Sequence, residues 1–548
     1  MNPFLATDGY KTGHHMMYPK GTTLVYSNFT PRSNKHAGGI EYILSFGQQL
    51  VMKQIHKMFE DEFFSQPKET VAVEIRDTYS AYLGAPYNVD HIVALHELGY
   101  LPIKVKSMPE GIRVQPGIPV LTIVNTKPEF FWLTNFLETL ISTLLWKPMT
   151  SASIAYEYKK LLLGFIQKTD QENKEFVEFQ AHDFSMRGMS GVESTISSGL
   201  GHATCFMGSD SLPVIEGARE YYGVASSAVP VHSVNATEHS VMCAGGDENE
   251  LETFRYLMTQ FPSGILSIVS DTWNLWDVCT KFLPELKDEI LARDGKIVIR
   301  PDSGNPADII CGVPDLSELA DTPYDEYAIH EYEFPEVFQH EGKLYSLRAD
   351  DLKYIYEEYG AQAEPDIKDY VTCIGESGSI GKGVIELLWE TFGGTINEQG
   401  YKVLDSHIGC IYGDSITLSR AEDILQRLEA RGYASSNVVL GIGSYTYQYN
   451  TRDTFGFAMK ATYVEIDGAG REIFKDPITD DGTKKSARGL LHVSYDAEQG
   501  IFDLTDQVSW PVEGTGMLRT IYNDGEFHRN YTLDVIRGNV NEEIEHGK

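Results

Sequence analysis

From about residue 180 onward, short apolar runs end in polar or glycine-rich turns, and helical segments separate them. The runs ILSIVS, KIVIR, HIGCIYG and NVVLGIG lead into Asp271, the segment Pro301–Pro306, Asp414 and Ser444. Continuous apolar strands that alternate with helices indicate a parallel sheet covered on both faces. Polar groups directly after each strand are typical of an α/β barrel, although a doubly wound open sheet would place its site similarly. The pattern predicts an α/β fold with its site at the carboxyl ends of the strands.

The stretch from about 307 to 400 departs from this pattern, because it is acidic and aromatic and lacks the alternation of strand and polar turn. We interpret it as an insertion that is partly helical at 350–360 and 384–392. Upstream, residues 100–125 are predicted to form short strands with turns. Two helices should follow, one over about 129–146 and one that starts at the cap formed by Ser151 and Ser153.

Charge and cysteine usage exclude several classes of function. The chain has 45 basic and 79 acidic residues among 548, a formal net charge of −34. Such a surface repels nucleic acid and anionic lipid at long range, so neither is an expected partner. A phosphate-bearing ligand would need a local basic pocket. None of the six cysteines forms a C-x-x-C pair, so neither a zinc site nor a redox motif is predicted.

No membrane association is expected. The most apolar stretch, Phe130 to Trp146, contains Asn135 and Glu138 and is followed closely by Pro148. These polar residues indicate a buried helix rather than a membrane span. The first residues lack the apolar region of a signal peptide. We therefore expect a cytoplasmic protein.

Two turns carry residues that could bind a flat ring and a phosphate. Phe184 and Arg187 lie three residues apart beside a glycine. Phenylalanine can stack on a heteroaromatic ring, and arginine can hold phosphate through its planar fork, although a core ring and a surface ion pair are the alternative. Asp210 follows a glycine-containing turn and could accept hydrogen bonds from a carboxamide. Its alternative role is to cap the following helix.

The segment Ser233–Ser240 places Glu238 beside His239. A carboxylate can orient a histidine that acts as a base or a nucleophile, while a purely structural histidine is the alternative. The spacing does not match H-E-x-x-H, so zinc is not proposed.

Arg300 and Asp302 directly follow the run KIVI. Asp302 could bind two ribose hydroxyls or Mg²⁺, and Arg300 could bind phosphate. Two prolines and a glycine stiffen this turn, as suits a preformed site. Further along, glycines after strands would let backbone N–H groups approach a phosphate. This weaker signal comes from the pairs Gly413-Asp414 and Gly443-Ser444.

The order of these signals resembles that of a known family. ATDGYK, HDF-x-x-RG, GSD, S-V-x-A-T-E-H-S, VSD, RPDSGNP, GD, GIGS, TRD and FKDP follow one another along the chain. Together they resemble nicotinamide phosphoribosyltransferases, and especially the bacterial and bacteriophage members. The resemblance spans residues 4 to about 490, broken at 307–400, and S-V-x-A-T-E-H-S and RPDSGNP are its most specific motifs.

The resemblance implies the type II phosphoribosyltransferase fold, an α/β fold with an irregular (β/α) barrel-like core and a second β-rich domain. Residues 1–150 would contribute to the β-rich domain and a dimer interface. Residues 151–490 would form the catalytic domain, and 491–548 would pack with the β-rich domain. Members of the family are homodimers whose two active sites lie at the subunit interface.

The resemblance also implies roles for individual residues. Phe184 and Tyr10 of the partner subunit would sandwich nicotinamide, and Asp210 would accept from its carboxamide. Asp302, Gly413 and Asp414 would bind the ribose, and Arg187, Gly443 and Ser444 would surround its 5′-phosphate. Arg300 would help to hold the ring and the phosphate end, and Ser233 would be a further substrate-binding residue. The pyrophosphate side would be lined from the partner by a basic set, namely Arg32, Arg452 and Lys460.

The implied reaction joins nicotinamide to phosphoribosyl pyrophosphate and gives nicotinamide mononucleotide. Mg²⁺ is the expected cofactor, bound mainly through the pyrophosphate, and ATP is the expected co-substrate. ATP would phosphorylate His239, with Glu238 and Asp271 orienting its ring.

One departure from the family is Tyr445, which follows Gly443-Ser444 where animal members carry a run of glycines. Tyr445 could narrow the phosphate loop.

Three rival interpretations differ from this one. A nicotinate phosphoribosyltransferase would share the fold, but Asp210 would repel the carboxylate of nicotinate and favours the amide. A binding or signalling protein on the same fold would not need the complete set of site residues. An unrelated barrel enzyme for sugar phosphates would leave Glu238, His239 and the aromatic pair unexplained.

Overall fold

The structure, a computed structural model, describes residues 1–315, 337–347, 371–413, 415–474 and 487–546. Within these ranges the strands, β1 to β23 in chain order, are Thr22–Thr30, Ile43–Ser45, Ile103–Ser107, Ile112–Val114, Leu121–Asn125, Ala181–Asp183, Gly208–Ser209, Asn235–Ala236, Ser263–Val269, Asp294–Arg300, Val337–His340, Lys343–Leu347, Val371–Glu376, Gly394–Ile396, Lys402–Leu404, Ile408–Tyr412, Val438–Ile442, Ala458–Ile466, Ala469–Glu472, Leu490–Asp496, Ile501–Val508, Arg519–Asn523 and Glu526–Phe527.

The described α-helices are His14–Met17, Gln48–Phe59, Lys68–Leu83, Asp90–Leu98, Phe131–Thr169, Val177–Gln180, Val192–Ala203, Pro213–Tyr222, His239–Gly245, Glu250–Gln260, Leu275–Asp277, Leu283–Leu291, Pro306–Cys311, Gly378–Phe392, Leu418–Ala430, Ser444–Gln448, Trp510–Glu513 and Leu533–His546. Short 3-10 or π segments are Pro3–Leu5, Gly9–Gly13, Glu60–Phe64, Pro128–Phe130, Gln171–Phe176, Met186–Gly188, Asp247–Asn249, Val278–Phe282 and Ser435–Asn437.

Backbone packing divides the chain into two compact units. The first unit comprises Met1–Tyr158, Ser185–Val231 and Tyr447–Lys548, and the second comprises Lys159–Phe184 and His232–Thr446. Each unit therefore combines stretches that are far apart in the sequence.

The first unit contains a seven-stranded sheet in the order β19-β18-β1-β5-β3-β22-β23, and its strand pairs are antiparallel. Tyr26 of strand β1 packs in a buried cluster with Leu490 and Leu491 of β20. The strands β3, β4 and β5 fall within the predicted stretch 100–125. The β-rich part that the family resemblance implied is therefore present.

The second unit contains parallel strands in the order β6-β17-β16-β10-β9-β8. All five residues of β16 are buried. Because successive side chains of a strand point to opposite faces, both faces of the sheet must be covered at this strand. The predicted α/β fold with a parallel sheet is confirmed, and the sheet is a curled half-barrel.

The two ends of the predicted insertion are packed parts of the second unit. The helix Pro306–Cys311 is held to the helix Leu418–Ala430 by an ion pair of 2.7 Å between Asp308 and Arg427. The helix Gly378–Phe392 contains the predicted helical stretch 384–392, which is confirmed. The predicted helix at 350–360 lies outside the described residues.

The helices predicted over 129–146 and from the Ser151/Ser153 cap onward are wrong as separate elements, because a single helix runs through Phe131–Thr169 with Pro148 inside it. Proline lacks the N–H for a helical hydrogen bond and favours a break. Here Pro148 lies against Gly47, where an added Cβ would come within 2.8 Å of the proline ring. Packing of this buried helix overrides the local preference. Among the residues that the structure describes, no helix is long and apolar enough to cross a membrane.

Glu110 makes the stability of the first unit depend on pH. It is 1% exposed, and its Oε1 accepts from the backbone N–H of Gln49 at 2.8 Å, at the start of the helix Gln48–Phe59. Burial raises the pKa of Glu110 to about 7. A raised carboxyl pKa means that its stabilising contribution is complete below the unfolded pKa and is lost as pH rises through about 7.

We expect Glu110→Gln to flatten the pH dependence of thermal unfolding between pH 5 and 8, since glutamine keeps the acceptor but cannot ionise. The difference should be on the order of 3 kcal/mol in the free energy of unfolding. The measurement is the melting temperature of wild type and variant across this range, with the exposed Glu526→Gln as the matched control. Equal slopes for Glu110→Gln and wild type would contradict the assignment.

Candidate active site

The parallel strands of the second unit each end at a residue or turn that the sequence had singled out. Since carboxyl ends of parallel strands share one edge of a sheet, these residues gather there. The strands β6, β8, β9, β10, β16 and β17 are followed, respectively, by Phe184, the segment Thr237–His239, Asp271, the turn from Pro301 to Pro306, Gly413, and Gly443 with Ser444.

His239 begins a short helix, and its side chain is 47% exposed. Its Nδ1 lies 3.2 Å from Oγ1 of Thr272, within hydrogen-bond distance. Its Nε2 lies 4.0 Å from Oδ1 of Asp271 and 3.8 Å from Oδ2 of Asp302. Both distances exceed a hydrogen bond, so Nε2 faces two carboxylates without direct contact.

Asp271 and Asp302 form one rigid corner of this edge. Oδ2 of Asp271 accepts from the backbone N–H of Asp302 at 2.8 Å. Gly413 closes the corner, because its N–H donates to the carbonyl of Pro301 at 3.2 Å. A Cβ at Gly413 would lie 1.8 Å from Oδ1 of Asp302. The absence of a side chain at this position is therefore a requirement of the corner.

Arg300 is the last residue of β10 and is 9% exposed. Its Nη2 donates to the carbonyl of Thr237 at 2.6 Å, and its Nε lies 3.8 Å from Oδ1 of Asp302. Thr237 in turn accepts through Oγ1 from the backbone N–H of Val269 at 2.9 Å. The arginine thus ties the histidine segment to the strands β9 and β10 and adds a positive charge beside the carboxylates.

Phe184 and Gly443 lie side by side at the same edge. The strands β6 and β17 pair in register, Asp183 beside Ile442, and the N–H of Phe184 donates to the carbonyl of Ile442 at 2.9 Å. Phe184 is only half-buried, and its ring centroid is 4.6 Å from that of His182. A partly exposed ring next to a glycine turn fits a role in stacking.

Three predicted ligand residues of the first unit are exposed. Asp210 follows β7, and the next helix has its N-cap at Leu212 without a side-chain cap. The N-cap residue of that helix is therefore Leu212 and not Asp210. Arg187 lies in the exposed segment Met186–Gly188. Tyr10 is 65% exposed, and partial desolvation and the neighbouring Asp8 raise the pKa of its phenol.

The predicted basic residues lie on neighbouring elements of the first unit. Arg32 follows β1, and its Nε donates to the carbonyl of Gly456 at 3.0 Å. Arg452 starts the same turn, because its carbonyl accepts from the N–H of Phe457, and its side chain is 55% exposed. Lys460 lies on β18 opposite Asn28 of β1. The structure thus brings Arg32 next to the turn that carries Arg452.

Two further predicted residues are Ser233 and Asp414. Ser233 is exposed just before β8. Asp414 lies outside the described residues, so its predicted role at the ribose stays a prediction.

Comparisons with known proteins identify the family of this chain. A model described as the nicotinate phosphoribosyltransferase (NAPRTase) family matches residues 179–525, and one for the N-terminal domain of nicotinamide phosphoribosyltransferase matches residues 2–105. A nicotinamide phosphoribosyltransferase of Acinetobacter baylyi is 46% identical, over 100% of this chain and 98% of its own length. One of Mycoplasma pneumoniae is 34% identical, over 88% of this chain and 94% of its own length. The chain belongs to the nicotinamide phosphoribosyltransferase family.

A solved structure supports the fold of this nicotinamide phosphoribosyltransferase family member. The nicotinate-nucleotide pyrophosphorylase of Pyrococcus furiosus matches with a TM-score of 0.50 and 14% identity, and covers 99% of this chain and 95% of its own. The protein is a phosphoribosyltransferase with the type II fold.

The sequence alone did not single out Thr272, which contacts the histidine ring of this family member. Glu238, expected to orient that ring, instead accepts a hydrogen bond through Oε1 from the hydroxyl of Ser240. The only sequence signal for Thr272 is its position directly after Asp271 at the end of β9.

Oxygen ligands for a hard cation are present at the strand edge. Among the described residues, Oδ1 of Asp271 is buried and has no hydrogen-bond partner. The carboxylate of Asp302 is close by, since both aspartates lie within 4.0 Å of the same histidine nitrogen. The described residues contain no group of three side chains that would hold a metal by themselves. The site therefore fits Mg²⁺ that keeps most of its ligands from water and substrate phosphates.

Proposed function

We propose that the protein transfers the phosphoribosyl group of 5-phosphoribosyl 1-pyrophosphate to nicotinamide, giving nicotinamide mononucleotide and pyrophosphate in NAD salvage. We further propose that ATP hydrolysis through a phosphorylated His239 drives this synthesis. The observation that carries the proposal is the strand edge itself, where an exposed histidine, two carboxylates and a buried arginine meet beside glycine turns. A family member that uses ATP in this way needs a reachable nucleophile next to its ribose site.

The transfer step depends more on the positioning of the two substrates than on acid–base catalysis by the protein. The pyridine nitrogen attacks C1 of the ribose while pyrophosphate leaves, and positive charge develops on the sugar ring. The carboxylate of Asp302 would bind the ribose hydroxyls, and Phe184 with Tyr10 of the partner subunit would hold the nicotinamide ring flat. The glycine turn at Gly443 and Ser444 would hold the 5′-phosphate through backbone N–H groups.

The leaving pyrophosphate needs positive charge, which the acidic surface of the chain does not supply in general. Arg32, Arg452 and Lys460 would provide it from the partner subunit, so the proposal includes a homodimer. Mg²⁺, held beside Asp271 and Asp302, would neutralise part of the phosphate charge. Arg300 would support the phosphate end, because its guanidinium is fixed by Thr237. Arg187 would contact the 5′-phosphate.

A cytoplasmic location is part of the proposal, since the substrates are intracellular phosphates.

The direct test of the proposed function measures mononucleotide formation by the purified protein from nicotinamide, phosphoribosyl pyrophosphate and Mg²⁺, with and without ATP. Formation that ATP increases would support the proposal, and no formation under either condition would overturn it.

Asp210 is proposed to select the amide over the acid. A carboxylate accepts hydrogen bonds from a carboxamide NH₂ but repels a nicotinate carboxylate. We expect Asp210→Ser to shift the ratio of kcat/KM for nicotinamide over nicotinate by about tenfold toward nicotinate. The exposed Asp503→Ser is the matched control and should keep the wild-type ratio. If Asp210→Ser keeps it as well, Asp210 does not select the base.

A further inference from the structure

His239 has two ring nitrogens with different surroundings. Nδ1 lies 3.2 Å from Oγ1 of Thr272, whereas Nε2 makes no hydrogen bond with the residues that the structure describes. Nε2 points toward Asp271 and Asp302, at 4.0 and 3.8 Å. The two nitrogens of a histidine are chemically distinct, and the hydrogen bond at one of them fixes the role of the other.

We propose that Thr272 is a positioning residue that holds Nδ1–H of His239 and thereby makes Nε2 the nitrogen that accepts the phosphoryl group. This inference rests on the proposed function, because it takes ATP-dependent phosphorylation of His239 as given. In the assigned tautomer, Nδ1–H donates to Oγ1 of Thr272 and Nε2 carries the lone pair. The ring is 47% exposed, so a nucleotide can reach it.

The Nε2 lone pair forms a bond to the γ-phosphorus of ATP, the bond from that phosphorus to the bridging oxygen breaks, and ADP leaves with the electron pair. The ring becomes positively charged with its proton still on Nδ1. Thr272 keeps that proton hydrogen-bonded.

The neighbouring Glu238 does not hold the ring of His239. Its Oε1 accepts from the hydroxyl of Ser240, and it occupies the N-cap of the helix that His239 begins. Adjacent residues at a helix start point in different directions. Thr272 is instead fixed by its place directly after Asp271, whose Oδ2 is held by the backbone of Asp302 at 2.8 Å. The threonine and the two carboxylates therefore form one support around the ring.

The experiment uses the full-length protein with Mg²⁺ and ATP. The phosphoenzyme is isolated, and ³¹P NMR compares it with Nδ1- and Nε2-phosphohistidine standards, while nicotinamide mononucleotide formation is measured with and without ATP. Wild type should carry Nε2-phosphohistidine. Thr272→Val should lower phosphoenzyme and ATP stimulation about tenfold, and by more than it lowers synthesis without ATP. Thr272→Ser, which keeps the hydroxyl, should restore both.

The matched control is Thr280→Val, since Thr280 lies in the same unit and its hydroxyl donates to the carbonyl of Trp276 at 2.6 Å. This variant should behave as wild type. Phosphorylation at Nδ1, or normal phosphorylation of a folded Thr272→Val, would overturn the inference and leave the proposed function intact. Mononucleotide synthesis with no phosphohistidine in wild type would overturn ATP coupling and the inference together, and absence of synthesis would overturn the transferase proposal itself.

Discussion

Replacing His239 by alanine is expected to abolish the stimulation of mononucleotide synthesis by ATP and to remove the phosphoenzyme. The reason is that the imidazole is the exposed nucleophile at the strand edge, and its Nε2 lies 3.8 Å from Asp302, a proposed ribose ligand. The transfer step itself needs positioning and charge, so synthesis without ATP should fall less than the ATP-driven reaction. The measurement is initial rate with and without ATP, together with ³²P incorporation from labelled ATP.

The matched control for this variant is His407→Ala. His407 also has a carboxylate partner, Asp405, with Nδ1 to Oδ1 at 2.7 Å. It precedes β16 and so lies at the opposite, amino-terminal end of that strand. This variant should keep ATP stimulation. A His239→Ala protein that retains ATP stimulation would show that energy coupling uses another residue.

The substitution Gly413→Ala is expected to cause a large loss of catalytic activity. In Gly413→Ala the new Cβ would lie 1.8 Å from Oδ1 of Asp302. This distance is far below van der Waals contact, so the carboxylate or the turn must move. A displacement of about 1 Å in a positioning group can lower kcat/KM about 100-fold. We therefore expect a loss of this size in kcat/KM for phosphoribosyl pyrophosphate.

Gly409→Ala, in the strand β16 that precedes Gly413, is the matched control. Its Cβ would meet Cδ of Lys296 at 3.2 Å, and a flexible lysine side chain can shift by that small amount. The measurement is kcat and KM for both variants, with melting temperatures to establish that each is folded. A folded Gly413→Ala protein with wild-type kcat/KM would contradict the placement of Asp302 at the ribose.

The set of residues at the carboxyl ends of the parallel strands was predictable from the sequence, because one rule of sheet geometry determines it. In a parallel sheet, residues that follow consecutive strands meet at one edge whatever their separation in the chain. Asp271, the turn after Arg300, and Gly413 therefore come together even though about 140 residues separate the first and the last. The insertion between Asp302 and Gly413 does not disturb this, because its packed ends belong to the same unit.

The orientation of His239 was less predictable, because side-chain direction depends on local backbone geometry. Glu238 is adjacent in sequence, but its extended backbone at the helix N-cap directs its carboxylate to Ser240. Thr272 is 33 residues away in sequence and reaches the ring only because β8 and β9 pair in parallel. No local pattern marks such a contact.

The continuity of the helix Phe131–Thr169 also could not be predicted from the sequence. Proline at 148 predicts a break when only the chain itself is considered. The helix nevertheless continues through Pro148, whose ring packs against Gly47, a residue far away in the sequence. Tertiary packing of this kind decides between alternatives that local preferences leave open.

The most direct test of the proposed function offers nicotinamide and nicotinate separately to the purified protein, each with phosphoribosyl pyrophosphate and Mg²⁺, and each with and without ATP. The quantity measured is the mononucleotide product. We expect product from nicotinamide only, in an amount that ATP increases. Product from nicotinate in preference to nicotinamide would contradict the assigned substrate, and no product from either would contradict the proposed function.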